Sequence, residues 1–327
     1  MSSGGSGAGF AAVSDIDART DAAASELSNW GRWGEDDQLG TLNFVTESKR
    51  VEAAGCVRSG EMLSLALELR SDLPQPPGSG RLNPQHVMTE TGSDAAAAGA
   101  VGAYSDDVLA MSIHAATHWD ALSHVFHRGR MYNGRPCTDV TSAGARFNDI
   151  LGVAGRLVTR GVLVDVARLH GVDAVAADFE VRVADLESAL EAQRVDVRSG
   201  DVLLVRTGHL GRVAAAGDWA SFTEVHGELP CEPGIGLDCL PWLQEMGVAA
   251  VACDNWAVEH LHAGSAGRLP VHEVGIVHMG LVLGEIFQLD ALARACAADG
   301  RYDFLLAAAP LPVRGGVGGA VNPVAVR

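Results

Sequence analysis

Apolar residues gather in short runs bounded by glycine or polar positions, and those runs set the frame of the chain. Gly161-Val-Leu-Val-Asp165-Val166, Gly200-Asp-Val-Leu-Leu-Val-Arg-Thr-Gly208 and Val248-Ala-Ala-Val-Ala-Cys253 read as buried strands. Residues 184–194 and 241–246 predict helices between them, and a further apolar stretch runs from Val274 to Ile286. Nearer the N-terminus, residues 47–58 read as a short helix and Met62 to Leu69 alternates like a strand. Residues 1–25, rich in Gly, Ser and Ala, read as a flexible arm. Residues 71–95, with Pro74, Pro76, Pro77 and Pro84, read as a long loop, Tyr132-Asn-Gly-Arg-Pro136 as a turn, and residues 315–323 as a glycine-rich loop. No internal repeat and no break in composition marks a second domain. The expectation is one α/β domain over residues 26–327, carrying long arms.

One window concentrates chemistry: His114-Ala-Ala-Thr-His118-Trp-Asp120-Ala-Leu-Ser-His124. Imidazole and carboxylate are the ligands that divalent zinc or manganese prefers. On a regular helix His118 lies about 40° from His114, but Asp120 falls roughly 140° from their mean direction. On an extended strand the two histidines stand about 13 Å apart, too far for one ion with bonds of about 2 Å. The spacing therefore predicts a strand ending near Ile113, a tight Ala-Ala-Thr turn, and an extended piece through Asp120. His124 is then in excess of what one ion needs and is free to move protons. Trp119 reads equally as a pocket wall or a core indole, and His127 as a hydrogen-bonded structural residue.

Composition narrows the partners. Hydrophobic residues make up 47% and charged residues 20% of the 327, ordinary for a globular enzyme. Net charge is −17 and Lys49 is the sole lysine, so no basic stripe exists to neutralise nucleic-acid phosphates or to meet an anionic membrane. The six cysteines form no C-x-x-C pair, which points to reduced thiols and a cytoplasmic setting. No stretch reaches the roughly eighteen apolar residues of a membrane span, and MSSGGSGAGFAAVSD has no secretory pattern.

Competing motifs fail on spacing. His272-Glu273 begins like a zincin helix, but position 276, where the second His belongs, is Ile. There is no G-x-S-x-G elbow, and the C-terminal glycines lack the lysine of a phosphate loop.

The H-x-x-x-H-x-D-x-x-x-H pattern resembles the cyclase family of metal-dependent hydrolases, which includes bacterial kynurenine formamidases and isatin hydrolases. Asn29-Trp-Gly-Arg-Trp-Gly, Asp37-x-Leu-Gly-Thr-Leu-Asn43, Asn83-Pro-x-His86, Tyr132-Asn-Gly134, Asp254-Asn-Trp-Ala-Val-Glu259, Leu269-Pro-Val-His272 and Gly284-Glu285-Ile-Phe extend the likeness to its larger-chain branch. The resemblance implies a swivelling β/β/α domain around a partly barrel-like mixed sheet, assembled as a homodimer or homotetramer. It implies His114, His118 and Asp120 as metal ligands, His272 and Glu285 as ligands completing a second site, and His124 as proton shuttle. One or two Zn or Mn ions per chain follow. Trp30, Trp33, His86, Phe126 and Tyr132 are candidates for an aromatic-edged pocket, with the Trp30/Trp33 segment expected to pack on a neighbouring subunit. The chemistry expected is metal-assisted hydrolysis of a small cyclic amide, aryl formamide or lactone. Ring closure or dehydration in biosynthesis, and metal binding without turnover, are the alternatives.

Overall fold

A nine-stranded mixed sheet, curled into a half-barrel, is the frame of the chain. The computed structural model describes residues 6–73, 75, 79–217, 224–226, 229–262 and 268–327. The strands used below are β1 (Met62–Ser64), β2 (Gln85–Glu90), β3 (Asp106–Ala110), β4 (His118–Asp120), β5 (Val158–Asp165), β6 (Val202–Arg206), β7 (Ala250–Cys253), β8 (Val282–Glu285), β9 (Asp303–Ala307), β10 (Gly318–Ala320) and β11 (Val324–Val326). Across the sheet they run β1-β11-β9-β5-β6-β7-β8-β4-β10. The four central strands, β5 to β8, are parallel, and both flanks are antiparallel. Parallel strands are covered on both faces, which is why their sequences are continuous apolar runs. Val162 to Val164, Leu203, Leu204 and Val251 are all buried.

α1 spans Ser6–Leu27 and α2 Glu47–Ala54. α3 is Val183–Gln193 and α4 His209–Ala216, with α5 at Leu240–Glu245 and α6 at Asp290–Asp299. The three predicted helices are present within a few residues, as α2, α3 and α5, and α1, α4 and α6 were not foreseen. Thr46 starts α2 by accepting the Lys49 amide at 3.1 Å, the usual side-chain cap for an orphan N–H. The apolar stretch 274–286 divides in two: a wide, π-type turn over Glu273–Met279, then β8.

Four expectations need correction. The arm read as flexible is helical from Ser6, and its second half is docked. Thr20, Ala24 and Leu27 are buried against residues 273–279, while Arg268 joins Asp17 to Glu273. Seven of its 22 residues are alanine, the strongest helix former, and the tertiary contacts then fix where the helix lies. The strand expected to Leu69 ends at Ser64, after which only Ala66 pairs, with Phe287. The loop at 71–95 contains β2, which pairs with β3 as an exposed hairpin. The glycine-rich segment 315–323 contains β10, an edge strand on β4. Trp30 and Trp33 also have partners within their own chain. Trp30 stacks on His278 at 5.0 Å and donates to the Val277 carbonyl, and Trp33 meets Phe44 edge-on.

Candidate functional site

The turn required by the histidine window is there, with a shorter lead-in. β3 ends at Ala110 rather than near Ile113, residues 113–117 turn, and β4 extends from His118 to Asp120. Long-range bonds hold the turn. Arg81 Nη1 donates to the His114 carbonyl at 2.8 Å and Gln75 Nε2 to the Ala115 carbonyl at 2.7 Å. The Thr117 hydroxyl donates to the Ile286 carbonyl and accepts the Leu67 amide. β4 lies between β8 and β10, in a register that sets Glu285 opposite His118 and Gly318 opposite Asp120. His272 closes the fifth side from the single turn Pro270–His272.

Five of the six side chains expected at a metal centre are thus buried together, and His124 stands at their edge. His114 Nε2 and His118 Nε2 each lie 3.4 Å from Asp120 Oδ1. His118 Nε2 is 3.1 Å from Glu285 Oε2, and His272 Nε2 is 3.2 Å from Glu285 Oε1 and 3.7 Å from Asp120 Oδ2. Two triads result, His114/His118/Asp120 and Asp120/His272/Glu285, sharing Asp120. Two ligand atoms about 2.1 Å from one ion at a tetrahedral angle are about 3.4 Å apart. The His–Asp120 separations match that figure and exceed the usual 2.7–3.2 Å of N–H···O hydrogen bonds. His114 Nε2, His118 Nε2 and both Asp120 oxygens are buried without a hydrogen-bond partner, an arrangement that is costly unless a cation joins them. The residues present therefore fit one or two divalent ions of the nitrogen- and oxygen-liking kind.

Hydrogen bonds behind the rings select which nitrogen faces inward. His118 Nδ1 is 2.7 Å from the Ala116 carbonyl, and His272 Nδ1 is 2.5 Å from Glu259 Oε1. Both partners only accept, so each Nδ1 carries the hydrogen and each Nε2 offers its lone pair to the cluster. Glu259 also accepts the backbone amides of Val271 and His272. Gly318 has a steric role, since a Cβ there would stand 2.3 Å from His114 Nε2.

Electrostatics agree with a cation-binding design. Burial by itself raises the Asp120 pKa, but the imidazoles of His124, His118 and His114 outweigh it and hold the carboxyl below the usual range. Glu285 is held down to about 2, against burial and Asp120, by its bonds to His118 and His272. Burial opposes charge on His118, yet Asp120 and Glu285 push its pKa up to about 9. Two buried carboxylates thus draw positive charge into the cluster. His124 differs: its ring stacks on His114 at 4.2 Å, its Nε2 is 3.8 Å from Asp120 Oδ1, and its side chain is 25% exposed. Burial lowers its pKa below the ordinary imidazole value.

The aromatic candidates are scattered. Phe126, 41% exposed, follows His124 by two residues. His86 sits on the exposed hairpin, 2.7 Å from Asp107, and Trp30 and Trp33 pack as described above. Tyr132 does not edge a pocket, because it is buried and its hydroxyl donates to Asp37. Trp119 is core, with its indole N–H on the Ala308 carbonyl. His127 bonds to His278 at 2.9 Å. Glu259, Arg81 and Gln75 were not singled out from sequence. Only the D-N-W-A-V-E stretch ending at Glu259 carried a signal.

The comparisons with known proteins bear on the whole arrangement. A crystal structure described as a novel cyclase is 39% identical, covers 92% of this chain and 100% of its own, and superposes with a TM-score of 0.85. Isatin hydrolase A from Labrenzia aggregata (20% identity; 84% of this chain, 94% of its own; TM-score 0.61) shares the fold. So does isatin hydrolase A from Ralstonia solanacearum (21% identity; 84% and 93%; TM-score 0.61). No curated protein sequence matches. The family model described as "Putative cyclase" matches residues 62–260; that is more than half of the chain and includes the whole histidine window, so the protein belongs to the cyclase family.

Proposed function

We propose that the protein is a metal-dependent hydrolase of a small acyl compound, a cyclic amide, aryl formamide or lactone. His114, His118, Asp120, His272 and Glu285 would hold one or two Zn or Mn ions. The observation that carries this reading is the pair of overlapping triads around Asp120, with inward-facing atoms that have no other partner. A divalent ion there supplies Lewis acidity, lowering the pKa of water from 15.7 to about 7 and polarising an acyl oxygen.

The remaining work falls to the protein. His124 Nε2 is the proton carrier: with its pKa below the ordinary value it is a free base at neutral pH, ready to take a proton from the attacking water and return it to the leaving nitrogen or oxygen. Stacking on His114 fixes its ring, and its partial exposure sets it where the substrate enters. Glu259 and the Ala116 carbonyl orient His272 and His118. The shared fold of the isatin hydrolases supports the reading.

The test is turnover in ¹⁸O-water by metal-loaded protein, with isatin, N-formylkynurenine and simple lactones as substrates. One ¹⁸O in a product carboxylate is the expected result. Ring closure or dehydration without label, or no turnover by a fully metallated protein, overturns it.

A further inference from the structure

Next to the triads stands a cation that no described carboxylate neutralises. Among the described residues the Arg81 side chain makes one hydrogen bond, from Nη1 to the His114 carbonyl, and its Cζ lies 4.5 Å from the centroid of the Trp256 ring. Among the described residues it has no ion-pair partner, whereas Arg128, Arg160, Arg206 and Arg268 each do. A guanidinium stacked on an aromatic face is pre-organised, and its remaining N–H groups match the geometry of a carboxylate. The indole beneath it carries a second free donor: Trp256 Nε1 is buried and has no acceptor. Since the guanidinium sits over the ring, the two donors are neighbours.

Both donors belong to the rim of the candidate metal centre. Arg81 is bonded to the turn that presents His114. Trp256 packs against the cluster of Leu210, Val213 and Ile286, and the amide of Ile286, the residue after Glu285, donates to the carbonyl of Asn255, next to Trp256. The pair therefore reaches from the first candidate ligand to the last. Behind it, Glu232 fixes the loop by accepting the Trp256 amide on Oε2 at 3.1 Å. Burial pushes the Glu232 carboxyl well above its ordinary pKa.

We propose that Arg81 and the indole N–H of Trp256 form an anion subsite that receives a carboxylate carried by the substrate, separate from the acyl group that reacts. Its place beside a reacting carbonyl rests on the hydrolase reading, while its existence does not. In a chain of net charge −17, an unneutralised guanidinium at the mouth of the site discriminates for anionic substrates where the surrounding field repels them.

Calorimetric titration of the metal-loaded, full-length protein with benzoate and benzamide tests it, because the two probes share a planar shape and differ in charge. Benzoate should bind about tenfold or more tightly than benzamide, the order expected for charge-assisted hydrogen bonds. Arg81→Gln should bring the ratio close to one and leave benzamide affinity unchanged. Trp256→Phe, which keeps the ring and removes the N–H, should lower the ratio several-fold at unchanged metal content. If Arg81→Gln loses metal because the His114 turn loosens, Trp256→Phe decides alone. Equal binding of the two probes by the wild type overturns the proposal. So does a benzoate preference that survives Trp256→Phe or a metallated Arg81→Gln, since that preference would come from the metals. A protein that hydrolyses nothing yet shows the Trp256- and Arg81-dependent preference sinks the hydrolase reading and leaves the subsite standing.

Discussion

Removing one oxygen from Glu259 should weaken one half of the metal centre and spare the other. Glu259 Oε1 accepts both His272 Nδ1 (2.5 Å) and the His272 amide (3.0 Å), and Oε2 accepts the Val271 amide (3.2 Å). Glutamine can present its single oxygen to one side only. With that oxygen at the Oε1 position, its NH2 faces the Val271 N–H, donor against donor; with the amide turned over, His272 loses both acceptors. Either way a buried donor goes unsatisfied, at roughly 1–3 kcal/mol. Outer partners of metal-binding histidines typically carry about 10–100-fold in metal affinity, or about 1.4–2.7 kcal/mol, so the two figures agree. We expect Glu259→Gln to weaken the ion held by Asp120, His272 and Glu285 about 10–100-fold. The ion at His114, His118 and Asp120, whose partners are untouched, should change less than about threefold, within the scatter expected for independent sites. Competition against a chromophoric chelator resolves the two affinities, and elemental analysis gives the stoichiometry. Equal weakening of both ions, or of neither, refutes the reasoning.

Three further outcomes are expected. His124→Asn should keep its metal and lose about 10²–10⁴-fold in kcat; loss of metal together with activity would place His124 among the ligands. Val87 and Val108 face each other on the β2/β3 hairpin and are 58% and 53% exposed, and a two-stranded hairpin bare on both faces is marginal alone in water. We expect self-association through this arm, so Val87→Asp/Val108→Asp should lower the mass measured by light scattering, and an unchanged mass counts against it. Burial and the adjacent His127 bring the His278 pKa down to about 4, so the unfolded chain takes up this proton near 6.5 and the folded one only near 4. Its stabilising contribution is full above pH 6.5 and is lost as pH falls toward 4. The shift corresponds to about 3 kcal/mol before screening, and partial exposure reduces it to roughly 1–2 kcal/mol. Chemical denaturation of His278→Gln should show a correspondingly shallower fall over that window, and identical pH slopes would dispose of the idea.

The central strands were legible because burial on both faces leaves an unbroken apolar run, and β5, β6 and β7 follow such runs to within a few residues. Strands with no buried face gave no such signal. Every residue of β2 and β3 is exposed, so nothing in the polarity of β2 distinguished it from the proline-rich loop around it, and β3 was expected only from the spacing of the histidine window. β10 was hidden for a different reason. Gly318 and Gly319 read as loop because glycine is the commonest loop residue, whereas His114 needs the space that a Cβ at 318 would fill. α1 escaped notice because its stability comes from the surface beneath it. Arg268 and Glu273, which hold it, lie far away in sequence, and the glycines and serines at its start mask an alanine-rich stretch that favours helix.

The candidate site divides along the same line. Its early half is written locally: a turn of three residues brings His114 back over His118 and Asp120, and helix and strand geometries can be rejected by arithmetic on the sequence. Its late half exists only through β-pairing. Glu285 faces His118 because β8 and β4 run antiparallel in one register, across 167 residues of chain, and no local pattern encodes that register. Family resemblance supplied His272 and Glu285 where spacing could not. Resemblance was weaker for the outer partners, since Glu259 lay inside a matching stretch without an evident role. It also led astray at Tyr132, whose ring is enclosed by the Asp37–Asn43 and Gly280 segments rather than open to a ligand. A side chain's chemistry is readable from its type, but whether that chemistry faces a cavity is decided by what the rest of the chain packs against it. Arg81 shows the consequence: in sequence it is one arginine within a loop, and only its fixed place over Trp256, with no acid among the described residues to answer it, makes it a candidate for binding an anion.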